Sequence, residues 1–234
     1  LMGGAAFFKC TWGTVSGEIY RNKAQSGGGV YIWLASDDGK IIPSSSITLN
    51  GSIYNNTADS GGGVIITAGG GSFSSSNPVK FKSTNGGPVV YANTAKVGGG
   101  VWGEKASSVS GLTHDTCRSN TATTRAVNTF NLGMNTYYYI GYGATESTAH
   151  EVYYLDDILA VNNNFGPSNS GWRFSNFTTT EGISTSKYVS TGSTQVYNST
   201  IGTSTNYYAT LSRAVTFKYS TKTETRYQLT NHDA

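Results

Sequence analysis

Few residues of this 234-residue chain are equipped for chemistry, and their spacing gives them little to do. Asp156-Asp157 is a carboxylate pair of the kind used in acid–base catalysis or calcium binding. Neighbours along a strand point to opposite faces, however, so the pair reads more simply as a turn. His114-Asp115 has the same weakness, and His114, His150 and His232 lack metal-ligand spacing. Serine is abundant, yet no Gly-x-Ser-x-Gly elbow occurs. Tyr137-Tyr138-Tyr139 and Tyr207-Tyr208 offer amphipathic rings that stack on sugars or partner surfaces, or that sit half-buried in strands. No catalytic residue, metal site or cofactor is therefore expected.

The elements that would position such residues are repeated. Ile19-Tyr20-Arg21-Asn22-Lys23-Ala24-Gln25-Ser26-Gly27-Gly28-Gly29-Val30 is matched by residues 53–64 and 90–101. The shared pattern is β-branched, Tyr, any, Asn, any, Ala, two variable residues, then Gly-Gly-Gly-Val. It recurs 34 and then 37 residues on, a period that marks stacked arrays. The constant positions are Asn22, Ala24, Gly27, Gly28 and Gly29; Asn56, Ala58, Gly61, Gly62 and Gly63; and Asn93, Ala95, Gly98, Gly99 and Gly100. A decayed fourth copy, Cys117 to Ala122, keeps Asn120 and Ala122 but loses the glycines.

Short β-branched and aromatic runs flank each constant stretch and read as strands. The constant stretch reads as a corner. Asn tolerates the left-handed region, Ala fits inside a bend, and Gly permits positive φ and close backbone approach. A chain that repeats strand, fixed corner, strand and variable loop will coil and pair successive strands in parallel, about 4.8 Å apart. Asn22, Asn56 and Asn93 are then expected to stack amide on amide.

The repeats resemble those of right-handed parallel β-helix surface proteins of the polymorphic outer-membrane-protein and adhesin type. Gly28-Gly29-Val30, Gly62-Gly63-Val64 and Gly99-Gly100-Val101 fill that family's GGA(I/L/V) motif. The stretches Ile19 to Asn22, Ile53 to Asn56 and Val90 to Asn93 fill its FxxN motif, with Ile or Val where Phe is common. The resemblance covers residues 1–126 and implies an all-β fold, a right-handed parallel β-helix. Because such folds host adhesins, lyases, tailspikes and passive stalks alike, it implies little about function. Enzymes of this architecture cluster Asp, Arg or Lys along one face, where this repeat has Asn, Ser and Thr.

Beyond Arg125 the glycine triplets stop, and 12 of the 16 tyrosines follow Met134. Residues 127–234 are expected to form a second Tyr-, Ser- and Thr-rich β region, sandwich-like or a cap on the solenoid. Its strand-like runs are Thr136 to Tyr142, Glu151 to Leu155, Gly171 to Phe177, Tyr207 to Leu211 and Ala214 to Tyr219, separated by turn signals.

Charged residues make up 12% of the chain, about half the usual share, and glycine is enriched. Such a composition suits an extracellular β protein. Aromatics at 12% and a net charge of +3 argue against disorder. The 16 Lys and Arg are scattered, which argues against nucleic-acid binding, and no apolar run approaches the roughly 18 residues of a membrane helix. Four Asn-x-Ser/Thr sequons, at Asn50, Asn55, Asn176 and Asn198, decide nothing. If both sit in the stack, Cys10 and Cys117 fall in the first and fourth rungs, about 14 Å apart by strand spacing and beyond disulfide reach unless the fourth coil folds back. Two buried free thiols are expected, with Cys117 in the inward position of Ile19, Ile53 and Val90.

The expectation from sequence is thus a non-catalytic protein of the cell surface or extracellular space, an adhesin segment or a self-assembling fibre subunit. Its partners would be a cell-surface or glycan ligand, or its own copies. The alternative is a glycan-active β-helix enzyme, a polysaccharide lyase or hydrolase or a tailspike-like depolymerase. Met2 to Phe8 reads as the back half of a repeat, with no Pro or clustered charge to blunt its strand edge. Head-to-tail pairing of that edge with Tyr207 to Leu211 or Ala214 to Tyr219 of a neighbour would give filaments.

Overall fold

The structure, a computed structural model, describes residues 2–9, 11–35, 46–69, 78–83, 86–140, 147–156, 172–178, 188–189, 204–218, 220 and 223–230. The chain is nearly all β, and among the described residues the sole helical turn is Ala106–Ser108. No described helix is long and apolar enough to cross a membrane. The chain divides into two compact units, one holding Leu1–Met134 with Tyr153–Asp156 and the other most of the remainder.

In the first unit every sheet is parallel, and its strands come from successive repeats. Ala6–Lys9, Val30–Trp33, Val64–Thr67, Val101–Gly103 and Thr129–Phe130 form the sheet that follows the glycines. Gly13–Val15, Ile47–Leu49, Val79–Phe81 and Val109–Ser110 form a second. Glu18–Tyr20, Ser52–Tyr54, Val90–Tyr91 and Cys117–Arg118 form a third, entering the corner. This arrangement is compatible with a β-solenoid. Register places like residues on like: Val30, Val64 and Val101 align, as do Ile19, Ile53, Val90 and Cys117.

One-residue alternation then sorts side chains into inside and outside. Val30, Ile32, Ile47, Leu49, Ile53, Val64, Ile66, Val79, Val90 and Val101 are fully buried and pack as one core. Each such side chain stabilises the stack by about 1.5–3 kcal/mol relative to exposure. Cys117, a free thiol, is buried in the same row. Cys10 lies outside the described residues.

The second unit is built differently. Ser204–Lys218 runs antiparallel to both Thr223–Thr230 and Trp172–Thr178. Ser147–Tyr153, Met134–Ile140 and Tyr188–Val189 complete a six-stranded sheet. The two strands expected at Tyr207 to Leu211 and Ala214 to Tyr219 are, as far as Lys218, one 15-residue strand, and Tyr219 lies outside the described residues. Ser212 and Arg213 do not break it, because the strand pairs through them on both sides, with Leu229 and Gln228 and with Arg173 and Trp172.

Candidate functional site

The corner is the most regular feature of the first unit, and its chemistry is that of an amide ladder. Asn22 donates from both its backbone N–H and Nδ2 to Oδ1 of Asn56, at 3.0 and 2.9 Å. Asn56 does the same to Asn93 at 3.0 Å in each bond, and Asn93 to Asn120 at 3.1 Å in each. The second amide hydrogen reaches the strand one rung back: Asn56 Nδ2 donates to the Ile19 carbonyl, Asn93 Nδ2 to that of Ile53 and Asn120 Nδ2 to that of Val90. The buried amides of Asn56, Asn93 and Asn120 are thereby satisfied along the ladder.

The backbone geometry corrects the simplest reading of the corner. The left-handed residue is the one before each asparagine: Arg21, Asn55, Ala92 and Ser119 have φ of 58°, 53°, 52° and 56°. That twist turns the asparagine inward, and its bonds offset the cost of a left-handed non-glycine residue. Within each triplet only the first glycine has positive φ, as at Gly61 with 59°. The third is needed for room: a Cβ on Gly63 would lie 2.6 Å from Val90 Cγ1 and 2.9 Å from Asn93 Nδ2.

The fourth rung closes this system. The main-chain bonds made to Gly98 and Gly100 by the third rung's predecessor are made by the third rung to Ala126 and Asn128, so Ala126-Val127-Asn128-Thr129 stands where the others have Gly-Gly-Gly-Val. Ala126 has the matching φ of 61°. A one-residue register shift between the Thr94–Val97 and Thr121–Arg125 strands displaces the stretch from its expected spacing. Asn128 turns its amide into the place that the next rung's ladder asparagine fills beside the third glycine elsewhere, and its Oδ1 accepts from both Asn120 donors, at 3.3 and 3.1 Å. Its own Nδ2 donates to the Leu155 carbonyl at 2.6 Å.

Asp156 is the candidate acid whose position is now plain. Its Oδ1 accepts from Asn128 N–H at 2.8 Å and its Oδ2 from Val127 N–H at 3.1 Å, the amides that the next rung's carbonyls would otherwise receive. Leu155, with φ of 64°, buries its side chain in the core, and Thr129 Oγ1 donates to the Tyr154 carbonyl. Tyr153-Tyr154-Leu155-Asp156 thus repeats the β-or-aromatic, Tyr, left-handed, Asx order of the earlier corners, 36 residues after Asn120. Asp157 lies outside the described residues. Burial pushes the Cys117 thiol far above its ordinary value, and the nearby Asp156 carboxylate adds to the rise. Burial likewise raises the Tyr154 phenol, whose hydroxyl donates to the Leu112 carbonyl at 2.6 Å.

The other sequence candidates do not converge. His114 and Asp115 are exposed in a turn. Among the described residues no group of three or more His, Cys, Asp or Glu is placed to hold a metal. The backbones of Tyr137, Tyr138 and Tyr139 lie in the Met134–Ile140 strand and those of Tyr207 and Tyr208 in Ser204–Lys218, while their side chains lie outside what is described.

The repeat itself supplies aromatic groups that sequence reasoning passed over as surface candidates. Tyr20, Tyr54 and Tyr91 stand on the outer face of the sheet entering the corner, ring over ring. Centroids are 5.2 and 5.1 Å apart and planes within 12° and 5°. Tyr20 is 45% exposed. Arg21 sets its guanidinium 5.9 Å from the Tyr20 centroid, and Tyr54 donates its hydroxyl to Glu18 at 3.4 Å. Partial burial in the stack raises the Tyr54 phenol, and the Glu18 carboxylate pushes the same way. The signal was in the motif, where Tyr precedes the ladder Asn by two residues in all three copies.

Comparison with protein-family models, curated proteins and solved structures finds no match to the chain. The functional reading therefore rests on its own residues.

Proposed function

We propose that the chain is a non-catalytic segment of an extracellular or cell-surface protein, its parallel unit a right-handed β-helix of the adhesin kind. The observation that carries this reading is where the polar groups are spent. Asn22, Asn56, Asn93, Asn120 and Asn128 hold one rung to the next, and Asp156 caps the last one. Glu104 accepts from Thr67 Oγ1 and the Ala68 N–H, both at 2.6 Å. Groups so engaged support a scaffold rather than acid–base chemistry. Exposed positions include Thr14, Tyr20, Asn55 and Thr57, surface chemistry suited to contact, and the charge-poor composition fits an extracellular setting. In the fibre-subunit form of this reading, copies of the chain add to one another.

The test is incubation of the intact chain with a panel of polysaccharides, scoring retention and new chain ends separately. Retention without new ends supports the proposal. Turnover abolished by Asp156→Asn or Asp157→Asn sinks it in favour of a glycan-active enzyme. Sedimentation velocity over a concentration series separates its two forms. Growth with concentration supports the fibre subunit, and a constant monomer leaves the adhesin segment.

A further inference from the structure

We infer that the tyrosine face is a docking site for an anionic polysaccharide, an inference that rests on the surface-adhesin reading. The face has two cationic ends, and its one carboxylate, Glu18, sits against the Tyr54 hydroxyl. At one end Arg21 lies over Tyr20 and Lys23 follows around the corner; at the other, Arg118 takes the tyrosine position of the fourth rung, beside Tyr91. All three cations are exposed, and none has an ion pair among the described residues. Lys96 nearby pairs with Asp59 at 2.8 Å, and Glu18, which accepts the Tyr54 hydroxyl, is one carboxylate against the three cations, so the face stays net positive. From Tyr20 to Arg118 is three rungs, about 14 Å. Tyr54 and Tyr91 fill the interval, with the exposed Thr57 around the corner.

Charge complementarity therefore selects a ligand that is extended and negatively charged at intervals. Ring stacking occupies the tyrosine faces within the row, so what the row offers outward is ring edges and hydroxyls, which suit a hydroxyl-rich chain. A peptide strand laid across the middle of the face has nothing to add to, because Ser52–Tyr54 and Val90–Tyr91 are paired on both sides. A nucleic acid would call for a denser cationic track than three side chains. A polysaccharide bearing carboxylate or sulfate groups meets the terms, since an arginine fork binds either group bidentately.

The experiment is affinity electrophoresis of the full chain through gels containing polygalacturonate, heparin or neutral dextran, across a salt series. The first two arms separate carboxylate from sulfate. Arg118→Ser and the double variant Arg21→Ser, Lys23→Ser are run beside the parent; these positions are exposed, and urea unfolding confirms that each variant is folded. Expected is retardation by at least one anionic polymer and not by dextran, weakening with salt, with a tenfold or greater loss in each variant. Tyr54→Phe and Tyr54→Ser separate ring from hydroxyl, and at least one of them must weaken retardation. Unchanged retardation in both charge variants overturns the site, as does the absence of retardation by either anionic polymer. If dextran alone retards the chain, the adhesin reading stands and this site falls. If the anionic polymer is bound at this face and also cleaved, the site stands and the adhesin reading falls.

Discussion

Asn56, Asn93 and Asn120 each have one side-chain carbonyl oxygen serving two donors of the asparagine one rung before. Removing one amide therefore strands several groups at once. Asn93 is wholly buried, whereas Asn22 is partly open to water. Asn93→Leu leaves both Asn56 donors without their acceptor, and unfolding in urea should show a loss of at least about 1–3 kcal/mol. Asn22→Leu should cost less. Cys117 makes a pH-dependent prediction from its raised pKa. The folded thiol keeps its proton to higher pH than the unfolded one. Its contribution to stability is complete below the unfolded value, about 8.5, and is lost as pH rises beyond it, by up to ~1.4 kcal/mol per pH unit. Cys117→Val should flatten that decline in urea-unfolding series, and the native thiol should resist alkylating reagents until the chain unfolds.

At the scale of elements, the question is how a stack of parallel strands ends without exposing its edge. Here the glycine position becomes Asn128, whose side chain imitates the missing ladder amide, and Asp156 covers the two amides beside it. Asp156→Ala removes two charge-assisted bonds, and hydrogen exchange at Val127 and Asn128 should speed while the Gly62 and Gly63 amides stay protected. A cost of about 1–3 kcal/mol is expected, measured by urea unfolding. The ladder positions of Asn22, Asn56 and Asn93 are legible in sequence because the corner keeps a fixed length and a fixed Gly-Gly-Gly-Val ending. The close of the stack is not. Ala-Val-Asn replaces the glycines, an extra residue shifts the register, and the covering corner arrives only after the inserted Met134–Ile140 and Ser147–Tyr153 strands. The left-handed position escaped notice too, since Arg21, Asn55, Ala92 and Ser119 share no side-chain type.

At the scale of the whole molecule, the first unit is close to one-dimensional, each rung touching its neighbours through parallel sheets and one ladder. Damage in a middle rung should therefore cost more than damage at an end. Ile53→Ala, in the fully buried row, should lose about 2–5 kcal/mol in urea unfolding, and Ile19→Ala, in the half-buried first rung, distinctly less. The central claim is that the asparagines form one continuous hydrogen-bonded ladder, committed to holding the rungs and unavailable for catalysis. Hydrogen exchange of the asparagine side-chain amides, followed by nuclear magnetic resonance, tests it most directly. The account predicts strong protection of the Nδ2 hydrogens of Asn56, Asn93 and Asn120, persisting until the stack unfolds. Exchange of those hydrogens at the rate of surface asparagines in the folded chain would contradict it.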